Sequence, residues 1–321
     1  MLRFLLRVIG EAAFIFFLSF TLIFFLLRGL GDPAQMLLGQ RTDQASLAAI
    51  RAQLHLDEPL WKQYLYAWAD WLPYRDGRWQ KPSLGFSYQY KRPVWELYME
   101  RLPATALLGL TAMAIASMLG IGGGLYQAFR PSKLLERLSL LLLALPGYVI
   151  GLILLLLFAL KGALPLGGYV HEFDPVEERF VYRWEALILP VVALALRPAA
   201  YLFQLTAHQA QALLQADFIR TAFAKGKPAW QVLLQDVGRN LLPPLAMSLS
   251  QWIAGVFVGA VFIEELFDWP GVGRLLFSAL ISSDFPLLMG TAQLSTLLFV
   301  FLHTLSEVLS RWADPRLRLS A

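Results

Sequence analysis

The sequence predicts an all-α polytopic membrane protein with six transmembrane helices and both termini in the cytoplasm. The first observation is compositional: of 321 residues, 57% are hydrophobic and only 16% are charged, against about 45–50% and about 25% in soluble domains. The second is patterning. Uncharged apolar runs lie at about 12–27, 105–125, 138–160, 186–205, 241–263 and 286–305, each close to the roughly 20 residues that a bilayer-crossing helix needs. The third is the placement of positive charge. With a cytoplasmic N-terminus, the short inner segments hold Arg3, Arg7, Arg130, Lys133, Arg137, Arg220, Lys225, Lys227, Arg239, Arg311, Arg316 and Arg318. The short outer loops at roughly 161–185 and 264–285 hold only Lys161, Arg179, Arg183 and Arg274 beside nine acidic residues. Basic residues concentrate on the cytoplasmic side of membrane proteins, so the six-span orientation is self-consistent.

The first run follows Arg3 and Arg7, outlasts a signal-peptide core and ends without a small-residue cleavage site, so it reads as an uncleaved signal anchor. The segment from 31 to 102 is too long for its charges to report on topology. Within it, Leu47, Ile50, Leu54 and Leu56 predict one short amphipathic helix over Gln44–Leu56, and Trp61, Tyr64, Leu65, Trp68 and Trp71 predict a second over Leu60–Leu72. Those aromatics suit either a substrate-binding surface or a helix packed at the lipid headgroups.

Polar residues inside or beside the spans are Glu11, Arg197, Gln204, Gln251, His303 and Glu307. Arg197 stands midway along the fourth run, where a charge is costly unless it faces a cavity or a partner. It either lines a central pathway or meets carbonyls freed where Pro198 breaks the helix. Gly147 and Gly151, Gly255 and Gly259, and the cluster at Gly120, Gly122, Gly123 and Gly124 allow close helix packing in lipid.

Several function classes are excluded by what is missing. The net charge of +4 is no nucleic-acid signature, because no basic block interleaves with aromatics. There is no cysteine, and the four histidines, His55, His171, His208 and His303, are scattered, so neither a metal site nor a Cys nucleophile is expected. HExxH and GxSxG are absent. The Gly226-Lys227 pair is followed by Pro228 and has Thr221 where a phosphate-binding loop needs its first glycine. The chain reads as non-catalytic and free of cofactors.

The most informative stretch is the inner loop Gln211–Pro244, which reads as helix, turn, helix. Leu214, Phe218 and Ala222 recur at helical spacing, Gly226 suits a left-handed helix stop, and Pro228 suits the first turn of the next helix. Trp230, Leu233, Leu234 and Val237 form a second stripe, and Pro243-Pro244 mark the return to the membrane. A helix with a turn lying along the bilayer is a suitable lever for a cytoplasmic partner.

This loop resembles the EAA loop of binding-protein-dependent ABC importer permeases, with Thr221-Ala222, Gly226 and Pro243 in the places of the small pair, the glycine and the later proline. The whole chain is similar to the first permease subunit of the dipeptide, oligopeptide and nickel importers. The resemblance is carried by Gly31-Asp32-Pro33, RAQLHLDEPLWKQYLYAW from Arg51, SLGFS from Ser83, RPVWELYMERLPAT from Arg92, DFIRTAFAKG from Asp217 and FDWPGVGRLLFSALISSDFPLLMG from Phe267. It departs at Phe223, where a basic residue is usual, at Gln211-Ala212, which replace a common acidic residue, and at Arg197, in a stretch that is usually apolar.

The resemblance implies a type I ABC importer permease in a bacterial cytoplasmic (inner) membrane. Its partners would be a second homologous permease, two ATP-binding subunits carrying ATP and Mg, and an extracytoplasmic substrate-binding protein. Di- or oligopeptides are the implied cargo, with nickel or another small solute as the alternative within the family; an ATP-independent channel or secondary transporter is the rival outside it. Asp217, Thr221, Ala222, Lys225, Gly226 and Pro243 would couple to an ATPase. Trp269, Pro270, Gly271 and Gly273 would face the binding protein or the extracytoplasmic mouth; Arg197 is a pathway candidate by its own charge and depth, not by the resemblance, and the packing alternative stays open beside it. The implied divisions are 1–30 with the first transmembrane helix, an extracytoplasmic 31–103, a five-helix core over 104–310 with the coupling loop at 208–243, and a cytoplasmic tail over 311–321.

Overall fold

In a computed structural model of the chain, residues 2–29, 51, 56–71, 74–75, 78–79, 84–159, 164–165, 167–168, 171–174, 179–182 and 184–313 are described. Among these described residues, four helices have the length and hydropathy to cross a membrane: α1 (Leu2–Gly29), through Val8–Gly29; α3 (Val94–Phe129); α6 (Glu185–Leu214); and α11 (Phe285–Ala313), through Phe285–Leu305. Two bent pairs raise the number to six if each pair is one span. The first is α4 (Lys133–Ala144) followed by α5 (Gly147–Leu154) and a π-turn at Leu155–Ala159. The second runs through α8 (Ala229–Gln231), a π-turn at Val232–Val237 and α9 (Gly238–Leu266), with a bend of 45° between the parts Ala229–Phe257 and Gly259–Leu266. The remaining helices are α2 (Leu60–Trp71), α7 (Asp217–Ala224) and α10 (Val272–Ile281).

The apolar run at 138–160 is therefore two helices bent by 109°. Pro146 is the cause: its ring disfavours a helical residue before it, and Leu145 is extended at φ −84°, ψ 133°. Prolines do not interrupt the other spans. Pro103 lies inside α3, Pro190 and Pro198 inside α6, and Pro243 and Pro244 inside α9. The fold is also not purely helical. Two antiparallel hairpins are present, β1 (Tyr74–Arg75) with β2 (Arg78–Trp79) and β3 (His171–Asp174) with β4 (Arg179–Tyr182), the latter pairing His171 with Tyr182. The expected helix over Gln44–Leu56 lies largely outside the described residues, as do 314–321 of the expected tail.

Two compact units divide the chain: one comprises 1–102 with 275–298, the other 103–274 with 299–321. In the first, α2 packs its aromatics on α1. Trp68 stacks on Phe17 and sits 4.3 Å from the Phe20 ring, while Tyr64 hydrogen-bonds Thr21 at 2.7 Å. The opposite face exposes Leu60, Trp61, Leu65 and Tyr66, so α2 packs on one side and leaves an apolar, aromatic side suited to the lipid interface. Asp284 ties the same unit together. One carboxylate oxygen accepts the Leu287 N–H and caps α11; the other accepts Ser87 Oγ–H at 2.6 Å and the Gln89 N–H at 3.0 Å. Gly85, at φ +87°, brings the chain onto Pro286, and Gly290 lets the Leu84 carbonyl approach α11.

In the second unit α6 is central, with its buried side chains facing α3, α5 and α9. A Cβ on Gly120 would lie 2.6 Å from the Ala199 carbonyl, and one on Gly124 2.7 Å from that of Phe203. This glycine seam is the α3–α6 contact, as expected of small residues in lipid. Gln204 pins α4 to α6 by donating to Ser139 Oγ at 2.6 Å.

Candidate functional site: a docking turn, a buried outer loop and an arginine cavity

The inner loop begins where α6 ends. Ala216 is extended at ψ 146°, so α7 starts as an independent two-turn helix. It ends at Gly226, φ +79°, with the Lys227 N–H bonded to the Ala222 carbonyl at 3.3 Å and the Gly226 N–H to Phe223 at 2.9 Å. These are the two bonds of a Schellman turn. Lys227 Nζ then holds both carboxylate oxygens of Asp236 at 3.1 and 2.9 Å, clamping the turn to the π-turn that follows. The anticipated helix, turn, helix is present.

Its faces are turned differently from the expected stripe. Ile219 and Ala222 are buried against the unit's own core with Val232 and Val237. The apolar side chains open to the outside are Phe218, Phe223, Trp230 and Leu234, exposed by 47, 43, 65 and 64%. Ala222 is thus a packing residue. Asp217, Thr221 and Lys225 are exposed beside the outward face, and Thr221 Oγ–H bonds back to the Asp217 carbonyl. Pro243 is not at a break; it is the sixth residue of α9.

The loop after α9 is an internal lock. Trp269 is fully buried and its Nε1–H donates to the Ala104 carbonyl at 3.0 Å. Glu264, also fully buried, accepts Thr105 Oγ–H at 2.6 Å and the Arg274 N–H at 3.1 Å, while Thr105 Oγ accepts the Val272 N–H. A Cβ on Gly271 would collide with the Glu264 carboxyl, and one on Gly273 with the Val261 backbone. Trp269, Gly271 and Gly273 are therefore buried within the chain. Of the four outer-loop candidates only Pro270 is partly exposed. Glu264 and Thr105 escaped the sequence reading, although a glutamate closing an apolar run just before a Gly-rich turn was the available signal.

Arg197 lines a cavity of about 250 Å³ with Tyr148, Trp252, Phe262, Gly147 and Gly255. Helix α6 runs through Pro198 unbroken. The Arg197 side chain makes no ion pair or hydrogen bond among the described residues. Among the described residues no cluster of three or more His, Asp or Glu exists to hold a metal.

Residues 101–319 match the family described as the binding-protein-dependent transport system inner membrane component, and residues 1–109 match that family's N-terminal region. The chain belongs to this family. Similarity extends over the full length to individual members. The dipeptide transport system permease protein DppB of Escherichia coli (strain K12) is 29% identical over 347 residues, covering 99% of each chain. A putative peptide transport system permease protein of Brucella abortus (strain 2308) is 32% identical, covering 98% of each. The di/tripeptide transport system permease protein DppB of Pseudomonas aeruginosa (strain UCBPP-PA14) is 29% identical, covering 99% of each. The protein is a multi-pass bacterial inner-membrane permease of an ABC importer.

Proposed function

We propose that the chain is the translocation subunit of an ATP-driven importer of di- and oligopeptides, with six spans, both termini cytoplasmic and the type I permease architecture. It pairs with a second, similar permease, and two ATP-binding subunits supply the hydrolysis; this chain performs none and holds no cofactor. A binding protein delivers the peptide from outside. The divisions at 1–30, 31–103, 104–310 and 311–321 follow that topology. The supporting observation is the rigid turn between α6 and α9, which carries Phe218, Phe223, Trp230 and Leu234 outward on a clamped scaffold. Apolar aromatics on a fixed surface suit a protein partner. Asp217, Thr221, Lys225 and Gly226 shape that surface, and Ala222 and Pro243 support it from behind. The peptide cargo is supported by the relatives' names.

Purification of the tagged chain from its own membrane in mild detergent tests this reading. Co-purification of a second permease and ATP-hydrolysing subunits, with ATP-dependent tripeptide uptake after reconstitution, is the expected result. Recovery of the chain alone, active in liposomes without ATP, would overturn it.

A further inference from the structure

We propose that the cavity in front of Arg197 is a carboxylate pocket that receives the negatively charged end of the solute as it passes. The proposal rests on the importer reading above and adds the chemistry of one step. Arg197 is the thirteenth of thirty residues in α6, far from both ends. An arginine at that depth is retained at a cost unless it meets a polar cavity or an anion.

The surroundings supply the cavity and leave the anion to come from outside. Among the described residues Arg197 is the single charged one lining the 250 Å³ space, and its side chain has no ion-pair or hydrogen-bond partner among them. The glycines around it do not serve helix contact. A Cβ on Gly147 or Gly255 would meet nothing within 4 Å, and one on Gly259 only Leu194 Cδ1 at 3.7 Å. Gly151, one turn beyond Gly147, differs: its Cβ would lie 2.7 Å from Leu266 Cδ2. Gly147 and Gly255 therefore keep open the space that side chains would fill.

Tyr148, Trp252 and Phe262 form walls of this space, and walls of low dielectric strengthen the pull of a charge on its counter-ion. A guanidinium presents paired donors that match the two oxygens of a carboxylate. Among the described residues no acidic side chain lines the cavity to favour an amine instead. The volume falls below the roughly 300–1,000 Å³ that encloses a whole drug-sized ligand, so one end of a solute fits.

The test uses the complete transporter in liposomes with saturating binding protein and a mixture of tripeptides bearing free C-termini, read beside the same mixture as C-terminal amides. Arg197→Gln should lower ATP-dependent uptake of the free acids about tenfold, with subunit recovery and ATP hydrolysis at wild-type levels and no change on the amides. Arg197→Lys should retain most of the uptake. Gly255→Leu, which fills the same space, should lower it. Equal uptake of the free acids by Arg197→Gln and wild type overturns the pocket and leaves the importer reading standing. Loss of subunits from Arg197→Gln also overturns it, by assigning Arg197 to assembly. Absence of ATP-dependent tripeptide uptake by the wild type fells the peptide-importer reading itself, a result distinct from the other two.

Discussion

The indole of Trp269 donates to the backbone carbonyl of Ala104 across 165 positions of sequence, closing the C-terminal end of α9 onto the turn of α3 at Ala104, in the same unit. The hydrogen bond satisfies the indole N–H, and burial removes the apolar ring from solvent. Trp269→Phe should remove the hydrogen bond and part of the buried ring volume and cost about 1–3 kcal/mol, whereas Trp269→Ala should cost about 3–5 kcal/mol by leaving a larger cavity. Thermal unfolding in detergent, followed by loss of monodisperse protein, checks the order; equal melting of the two variants would sink the lock.

Gly226 has open space around it and a φ of +79°. Its constraint is conformational rather than steric, so size should matter less than branching. Gly226→Asn should be nearly tolerated, while Gly226→Val, costing about 1–2 kcal/mol or more at the turn, should abolish ATP-dependent uptake with the subunits still assembled. Wild-type uptake by Gly226→Val would count against the turn as a coupling element.

The outward and inward faces of the inner loop separate by mutation. Phe218→Asp and Trp230→Asp alter exposed positions, so they should reduce co-purification of the ATP-binding subunits without lowering the melting temperature of the chain. Ala222→Asp puts a charge into the core and should lower the chain's own stability by about 3 kcal/mol or more. If Ala222→Asp melts like wild type and only partner recovery falls, the faces are reversed.

How much of this was readable in advance depends on how far each signal travels along the chain. Gly226 announced its turn because the requirement is local. So did α2, whose Trp and Tyr spacing is complete within Leu60–Trp71. The face of α7 was not readable, since Ala216 is extended and breaks the helical phase between Leu214 and Phe218. The burial of Trp269 was hidden for another reason: its hydrogen-bond partner Ala104 is remote in sequence, as is Thr105, which holds the neighbouring Val272 N–H. Pro146 and Pro243 look alike as helix breakers, yet only the first bends its run sharply. Leu145 before Pro146 is extended, whereas Pro243 and Pro244 free only the carbonyls of Arg239 and Asn240, both exposed.

The glycines of α3 offer an internal comparison. Gly122 has nothing within 4 Å of an added Cβ, while Gly120 would meet α6 backbone at 2.6 Å. Gly122→Ala should raise stability slightly, by up to about 1 kcal/mol, and Gly120→Ala should lower folded yield several-fold. Equal yields would mean that α3 and α6 separate without cost.

Tyr88 reports on the first unit. Burial, reinforced by the Asp284 carboxylate and opposed by Arg28, pushes its phenol up from an ordinary value near 10 to about 12. The neutral phenol is favoured in the folded chain, so its contribution to stability is fully present below about pH 10 and is lost as pH rises through 12. The difference in ultraviolet titration between wild type and Tyr88→Phe should show this group ionising well above pH 10, and Asp284→Asn should bring it down. Titration near 10 in the folded chain would refute the burial.

The π-turn at Val232–Val237 fixes an angular offset between the aromatic surface and the span that follows it. Each residue of an α-helix advances by about 100°, and a π-turn holds one residue more than an α-turn. Removing one residue there would let the turn relax to α geometry and swing Trp230 by about 100° about the axis of α9, a quarter of a revolution or more. The extra residue acts as a compass setting: it decides the bearing of Trp230 relative to the helix that carries Gly255 and Glu264.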